Sequence, residues 1–179
     1  LAARTVVRNT DWKDNLALYS SAVQAVPNSS KMHSNLGGEY MIRDQFDLAR
    51  KEFQTALHIN PEAPDALSSF GLLEFRQGNY QAAGALMEKA LFMSGRDNPH
   101  YDSMVVDFAE VLARTNHVDG ALAYLNREIA ELPGYARAWS SRAMIQFKRG
   151  EFAAARTDAE TALRVNPGIL TSGHHYVAT

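Results

Sequence analysis

No cysteine occurs in the chain, so disulfides, thiolate metal sites and a cysteine nucleophile are all excluded. The absence does not assign a compartment, because secreted and cytosolic domains alike can lack the residue. Long apolar runs are missing as well. None approaches the roughly 18 residues of a spanning helix, so no membrane insertion of this segment is expected. Lysine and arginine number 18 against 20 acidic residues and form no basic run, which argues against a nucleic-acid partner. No signal peptide is legible, and the chain opens on Leu1 rather than Met, so it reads as a piece of a larger protein.

What the sequence has in plenty is repetition. Gly37 to Gly71, Ala49 to Ala83 and Ala56 to Ala90 all span the same step of 34. Ala83 to Ala121 is 38, after which Ala121 to Ala155 restores the step of 34. A four-residue insertion is therefore expected near Asn98 to Tyr101. Between these markers apolar residues recur every three or four positions, as one buried helical face does. The first complete unit predicts helices near 31–43 and 46–59. Upstream, Trp12 and Tyr19 stand at the places of Phe46 and Phe53, predicting a helix over 11–25 capped by Thr10 or Asp11. Helices under roughly 12–15 residues are marginal alone in water, so each hairpin needs its neighbours.

Leu36-Gly37, Tyr40, Ala49, Phe53, Ala56-Leu57 and Pro61 together resemble the 34-residue tetratricopeptide repeat (TPR). The signature Trp is replaced by His33 in that repeat and present as Trp139 in the last. The resemblance implies an all-α fold, a right-handed superhelical solenoid of antiparallel helix pairs. It divides the chain into the end of a first repeat (1–29), complete repeats at 30–63, 64–97, 102–135 and 136–169, the insertion at 98–101, and the start of a further repeat or a tail at 170–179. The repeat at 102–135 is the most divergent, with Glu128 where the others carry Ala. The insertion is expected to leave the stack continuous.

In that family the first helix of each pair lines a concave face. Carried over by the resemblance, the lining is Lys31, Ser34, Asn35, Met41 and Ile42, then Asp65, Ser68, Ser69, Leu72, Phe75 and Arg76. It continues through Ser103, Asp107, Glu110 and Arg114 to Arg137, Ser140, Ser141, Met144, Phe147 and Lys148. Such a groove is expected to bind a protein or extended peptide segment, with Phe75 and Arg76 central. Two ligand systems of the family are not reproduced. The carboxylate clamp of chaperone-binding members would place its first pair at Ser34 and Gly38. The asparagine ladder of O-GlcNAc transferase has a counterpart only at Asn35, followed by Ser69, Asp107 and Ser141.

Signals for catalysis are weak, and the chain is expected to be no enzyme and to hold no cofactor or metal. His174-His175 point to different sides of a helix with no third ligand nearby. His100-Tyr101-Asp102 lacks a nucleophile-elbow context. Asn28-Ser29-Ser30 matches a glycosylation sequon, which matters only in a glycosylating compartment. One stretch goes beyond generic repeat character. Arg8-Asn9-Thr10-Asp11-Trp12, with Leu18-Tyr19, Pro27-Asn28-Ser29, Lys31, His33 and Asn35-Leu36, resembles the first repeats of TPR-containing membrane O-mannosyltransferases and their bacterial relatives. That likeness implies an extracytoplasmic appendage attached to a membrane domain before Leu1, with catalytic residues elsewhere; a TPR adaptor of a soluble assembly would instead be cytoplasmic.

Overall fold

The computed structural model describes residues 15–168, and among them all regular structure is α-helical. The helices are α1 (Asn15–Ala25), α2 (Ser30–Ile42), α3 (Phe46–Ile59), α4 (Pro64–Arg76), α5 (Tyr80–Met93), α6 (Tyr101–Arg114), α7 (Val118–Glu131), α8 (Ala136–Lys148) and α9 (Phe152–Val165). The part of the first repeat at 1–14, with Trp12 and its cap, and the tail with His174-His175 lie outside the described residues. The chain divides into two compact units, Leu1–Gly95 and Arg96–Thr179. The first holds α1 to α5 and the second α6 to α9.

The tight turns explain why the helices pair as hairpins. Each second turn residue is left-handed: Asp44 (φ 56), Gly78 (φ 80), Asn116 (φ 64) and Gly150 (φ 80). The next residue then donates its N–H back five positions, Gln45 to the Tyr40 carbonyl and Asn79 to that of Glu74, each at 2.9 Å. His117 to Leu112 and Glu151 to Gln146 repeat the bond. These bonds satisfy carbonyls that a helix end leaves open, and Gly, Asn and Asp are the residues that tolerate the conformation. At the other ends, the Ser29 hydroxyl accepts from the Met32 N–H at 3.4 Å, and Pro64 opens α4, where no donor is needed.

In the first unit α2 packs on α3 and α4 on α5, with α4 laid over both α2 and α3. Ala49, Phe53 and Leu73 are fully buried with Met41, ringed by Tyr40, Phe46, Phe70 and Leu72. The helices meet closely at glycine. A Cβ built on Gly37 would lie 2.8 Å from the Phe53 ring, and one on Gly71 2.8 Å from Met87 Cγ. In the second unit α6 pairs with α7 and α8 with α9, and α8 rests on α6 and α7. Met104, Val105, Ala109, Leu125 and Ala138 form its interior. The four alanines of the repeating register, Ala49, Ala83, Ala121 and Ala155, are all buried, as their spacing predicts.

The turns also locate the extra residues. Asn60 and Asn166 each accept a backbone N–H from two positions on, Glu62 at 3.1 Å and Gly168 at 3.0 Å, across a following proline. Asn98 does the same for His100 at 2.8 Å, across Pro99. Asn98 is thus the counterpart of Asn60 after the longer step of 38, whereas α5 still ends the regular step of 34 after α3. The insertion therefore falls at 94–97, earlier than the Asn98–Tyr101 that sequence spacing indicates. Alanine spacing fixes how many residues are added, but only the turn geometry shows where.

Candidate functional site

The expected lining residues separate into two sets. At the second, sixth, ninth and thirteenth positions of each repeat, a stripe spaced i, i+4, i+7 and i+11 lies on one side of the first helix. On α2 this stripe is Lys31, Asn35, Gly38 and Ile42, and on α4 it is Asp65, Ser69, Leu72 and Arg76; all are exposed or half-buried. Ile42 stands out at 70% exposure. In the second unit the stripes are Ser103, Asp107, Glu110 and Arg114, and Arg137, Ser141, Met144 and Lys148, again all accessible.

Of the other expected residues, three are packed away. Ser34, Ser68 and Met41 are buried, and Met41 belongs to the core of the first unit, because α4 lies over its position. These three are corrected from groove lining to packing residues. Phe75 is half-buried with its ring 5.5 Å from that of Tyr80. Arg76 works as a clamp between hairpins: its guanidinium donates to the Met41 carbonyl at 3.1 Å and to Asp44 at 3.0 Å, and lies 5.3 Å from the centre of the Phe46 ring. Phe147 is exposed at 59%, and Ser140 is exposed beside half-buried Ser141.

Charge is distributed unevenly. Burial, then the neighbouring Glu110, pushes the Asp107 carboxyl up to about 7, and Arg137 offsets only part of it. Deeper in the second unit, Glu128 is fully buried at a position that holds Ala56, Ala90 and Ala162 in the other repeats. The sequence marks the odd residue but not its partners. The Tyr101 hydroxyl donates to Glu128 at 3.2 Å, and Arg96 and Arg127 approach its two oxygens at 3.4 and 3.3 Å. Arg96 comes from the insertion, which thus supplies a cation for a carboxylate that the regular repeat would not contain. Burial and the nearby Glu128 raise the Tyr101 hydroxyl, and Tyr124 is raised by burial with Tyr101 and Glu128 beside it. Tyr135 is raised by burial and Asp102 and donates to the Asp102 carbonyl.

The missing signature Trp is also explained. Trp139 Nε1 donates to the Pro133 carbonyl at 2.9 Å, and His33, in the same register, places Nε2 3.0 Å from the Pro27 carbonyl. Its Nδ1 lies 2.6 Å from Glu52. The imidazole thus makes the Trp hydrogen bond and adds an acidic partner. Among the described residues no three His, Asp or Glu side chains are grouped to hold a metal, and no helix is long and apolar enough to cross a membrane. Asn28 of the sequon is exposed in the turn before α2.

Paired antiparallel helices in one repeating register, closed by left-handed turns, match the tetratricopeptide repeat pattern over residues 39–100 and again over 74–145, together more than half of the chain. The chain is a tetratricopeptide repeat protein. TPR folds of this kind are protein-interaction scaffolds. Among curated proteins it is similar to "Protein O-mannosyl-transferase TMTC3" of Mus musculus, 25% identical over 158 residues. That match takes in 82% of this chain but 17% of the relative, so the chain spans only a small part of that protein. The likeness reaches well past Leu36, where the sequence motif ends. Among solved structures, PilW, a "widely conserved type IV pilus biogenesis factor", superposes with a TM-score of 0.75 at 21% identity, covering 92% of this TPR chain and 74% of that one. YrrB, "a TPR protein with an unusual peptide-binding site", gives 0.65 at 18% identity, with 94% and 84% covered. These structural likenesses establish the fold.

Proposed function

We propose that the accessible stripes of the first helices bind an extended peptide or protein segment. The observation that carries this reading is the spacing: in each unit the positions i, i+4, i+7 and i+11 of α2, α4, α6 and α8 all stay accessible, with Ile42, Leu72 and Met144 as apolar points among serines and charges. Apolar anchors within a polar surround are what an extended segment needs, and a few anchors carry most of such binding energy. Arg76 is not a suitable probe, since its truncation would open the contact between hairpins. A random peptide display library selected against the chain supplies the probe. Ile42→Glu with Leu72→Glu is expected to weaken a selected peptide by about thirtyfold or more. Leu48→Glu on α3 is expected to leave it unchanged. Peptides indifferent to the first pair and sensitive to the second would reject the reading.

The O-mannosyltransferase relative favours a second reading. Here the repeats are an extracytoplasmic appendage of a multi-spanning glycosyltransferase and present acceptor protein to a catalytic domain outside this chain. It predicts that, in the longer protein, the same Ile42 and Leu72 substitutions lower transfer to folded acceptor protein but not to a short acceptor peptide.

A further inference from the structure

One turn between helices is built differently from its counterparts, and the difference falls on an asparagine. Asn60, Asn98 and Asn166 each precede a proline, and the side-chain oxygen of each accepts the N–H two positions on. Before α2 the order is reversed, Pro27-Asn28. The backbone alone closes that turn, the Ser29 N–H donating to the Val26 carbonyl at 3.2 Å. Asn28 is exposed, and among the described residues its amide has no hydrogen-bond partner. A side chain with no task in its turn is free to carry a substituent.

Asn28 is also the only one of the ten asparagines with a serine or threonine two places on, the spacing that makes an asparagine an acceptor of N-linked sugar. That hydroxyl belongs to Ser30, and the fold gives no account of it. Its oxygen is buried without a partner among the described residues, which is a cost to the folded chain. Ser29, not Ser30, caps α2. In two other repeats Pro64 and Ala136 hold the register of Ser30, so packing at this place asks for no hydroxyl.

We propose that Asn28 is the attachment site of an N-linked glycan. This rests on the second reading above, in which the repeats lie on the extracytoplasmic side, and adds to it a modification of this chain itself. The donor is an oligosaccharide carried on a lipid diphosphate, and the transferase is a separate membrane enzyme. The Asn28 amide nitrogen bonds the anomeric carbon of the sugar and gives up one proton to a base of the transferase. The bond from that carbon to the diphosphate breaks, its electron pair leaving on phosphate, and nothing is oxidised or reduced. The Ser30 hydroxyl is read while this stretch is still extended, before α2 buries it. Folding then leaves Asn28 outside, where a bulky, solubilising group has room.

The test places the full chain behind a cleavable signal sequence in cultured animal cells. The secreted chain is expected to carry one glycan, removed by peptide N-glycosidase with conversion of Asn28 to Asp, which mass spectrometry reads. Asn28→Gln and Ser30→Ala are each expected to abolish it, and Ser30→Thr to keep it. Val118→Thr, which completes the same spacing at the exposed Asn116, is the control, and circular dichroism melting checks that the variants fold. A chain modified at Asn116 and bare at Asn28 would overturn the proposal. The same variants in the longer protein, in its own membrane, separate the site from the reading beneath it. Glycan at Asn116 but not at Asn28 would leave the extracytoplasmic reading standing and sink the site. Glycan at neither would reject both.

Discussion

The two units reach the same helical register with different pairs of side chains. In the first, glycine faces a large residue, Gly37 against Phe53 and Gly71 against Met87, and a single added carbon would collide with either. In the second, alanine takes the glycine position at Ala109, with the smaller, buried Leu125 in register opposite it. Where the glycine position gains a carbon, the residue in register opposite it is smaller. The units differ also in what they bury. The second accepts Glu128 where the first has Ala56 and Ala90, at the cost of recruiting Tyr101 and an inserted Arg96. A buried carboxylate without such partners would be strongly destabilising.

The largest test of the contrast is Phe53→Ala. With glycine opposite, nothing nearby can fill the space, and a loss of about 3–5 kcal/mol is expected in urea unfolding followed by circular dichroism. Leu125→Ala, facing alanine, is expected to fall lower in the range of about 2–5 kcal/mol. Equal losses would mean that the glycine pairing does not distinguish the first unit.

A second contrast is in pH response. Asp107 binds its proton more tightly in the folded second unit than in the unfolded chain. Between pH about 4 and about 7 the folded state therefore holds more protons, and stability falls as pH rises. Because a tenfold change in proton affinity corresponds to about 1.4 kcal/mol, the fall is at most about that much per pH unit, less whatever water screens. Asp107→Asn is expected to flatten this slope in urea midpoints taken across the window. An unchanged slope would show that Asp107 is not its source.

The smallest effect is the most diagnostic. Gly37→Ala alone is expected to cost about 1–3 kcal/mol by overpacking, partly offset by about 1 kcal/mol of better helix propensity. Combined with Phe53→Leu, which recreates the Ala109 and Leu125 pairing of the second unit, much of that cost is expected to vanish. A double-mutant cycle reads the coupling directly, and strict additivity would refute the shared-volume argument.

How much of this is legible in the sequence follows from the kind of information each feature needs. Helix pairing and the buried alanines at 49, 83, 121 and 155 depend only on period, and period is visible in one sequence. The fate of Met41, Phe75 and Arg76 is not visible there, because Met41 depends on what the following hairpin lays across it, Phe75 on the Tyr80 ring beside it, and Arg76 on Met41, Asp44 and Phe46 of the preceding hairpin. Met41 vanishes under α4, while Phe147, in the same register, stays open. His33 reads as a missing Trp, yet only geometry shows it taking the Trp hydrogen bond. The partnership of Glu128 with the insertion joins side chains far apart in the chain, which no short motif encodes.

Among the described residues, every helix within a unit touches only its immediate neighbours in the chain or the next but one. Pulled by one end, such a unit can surrender its hairpins singly. No distant strand or crossing segment among them ties them into one breaking event, since a repeat array depends on intrinsic and nearest-neighbour terms. The same locality shortens the search during folding, because few contacts wait on the closure of a long loop. A force trace is therefore expected to show small successive steps, each about the length of one helix pair, and rapid recovery on relaxation.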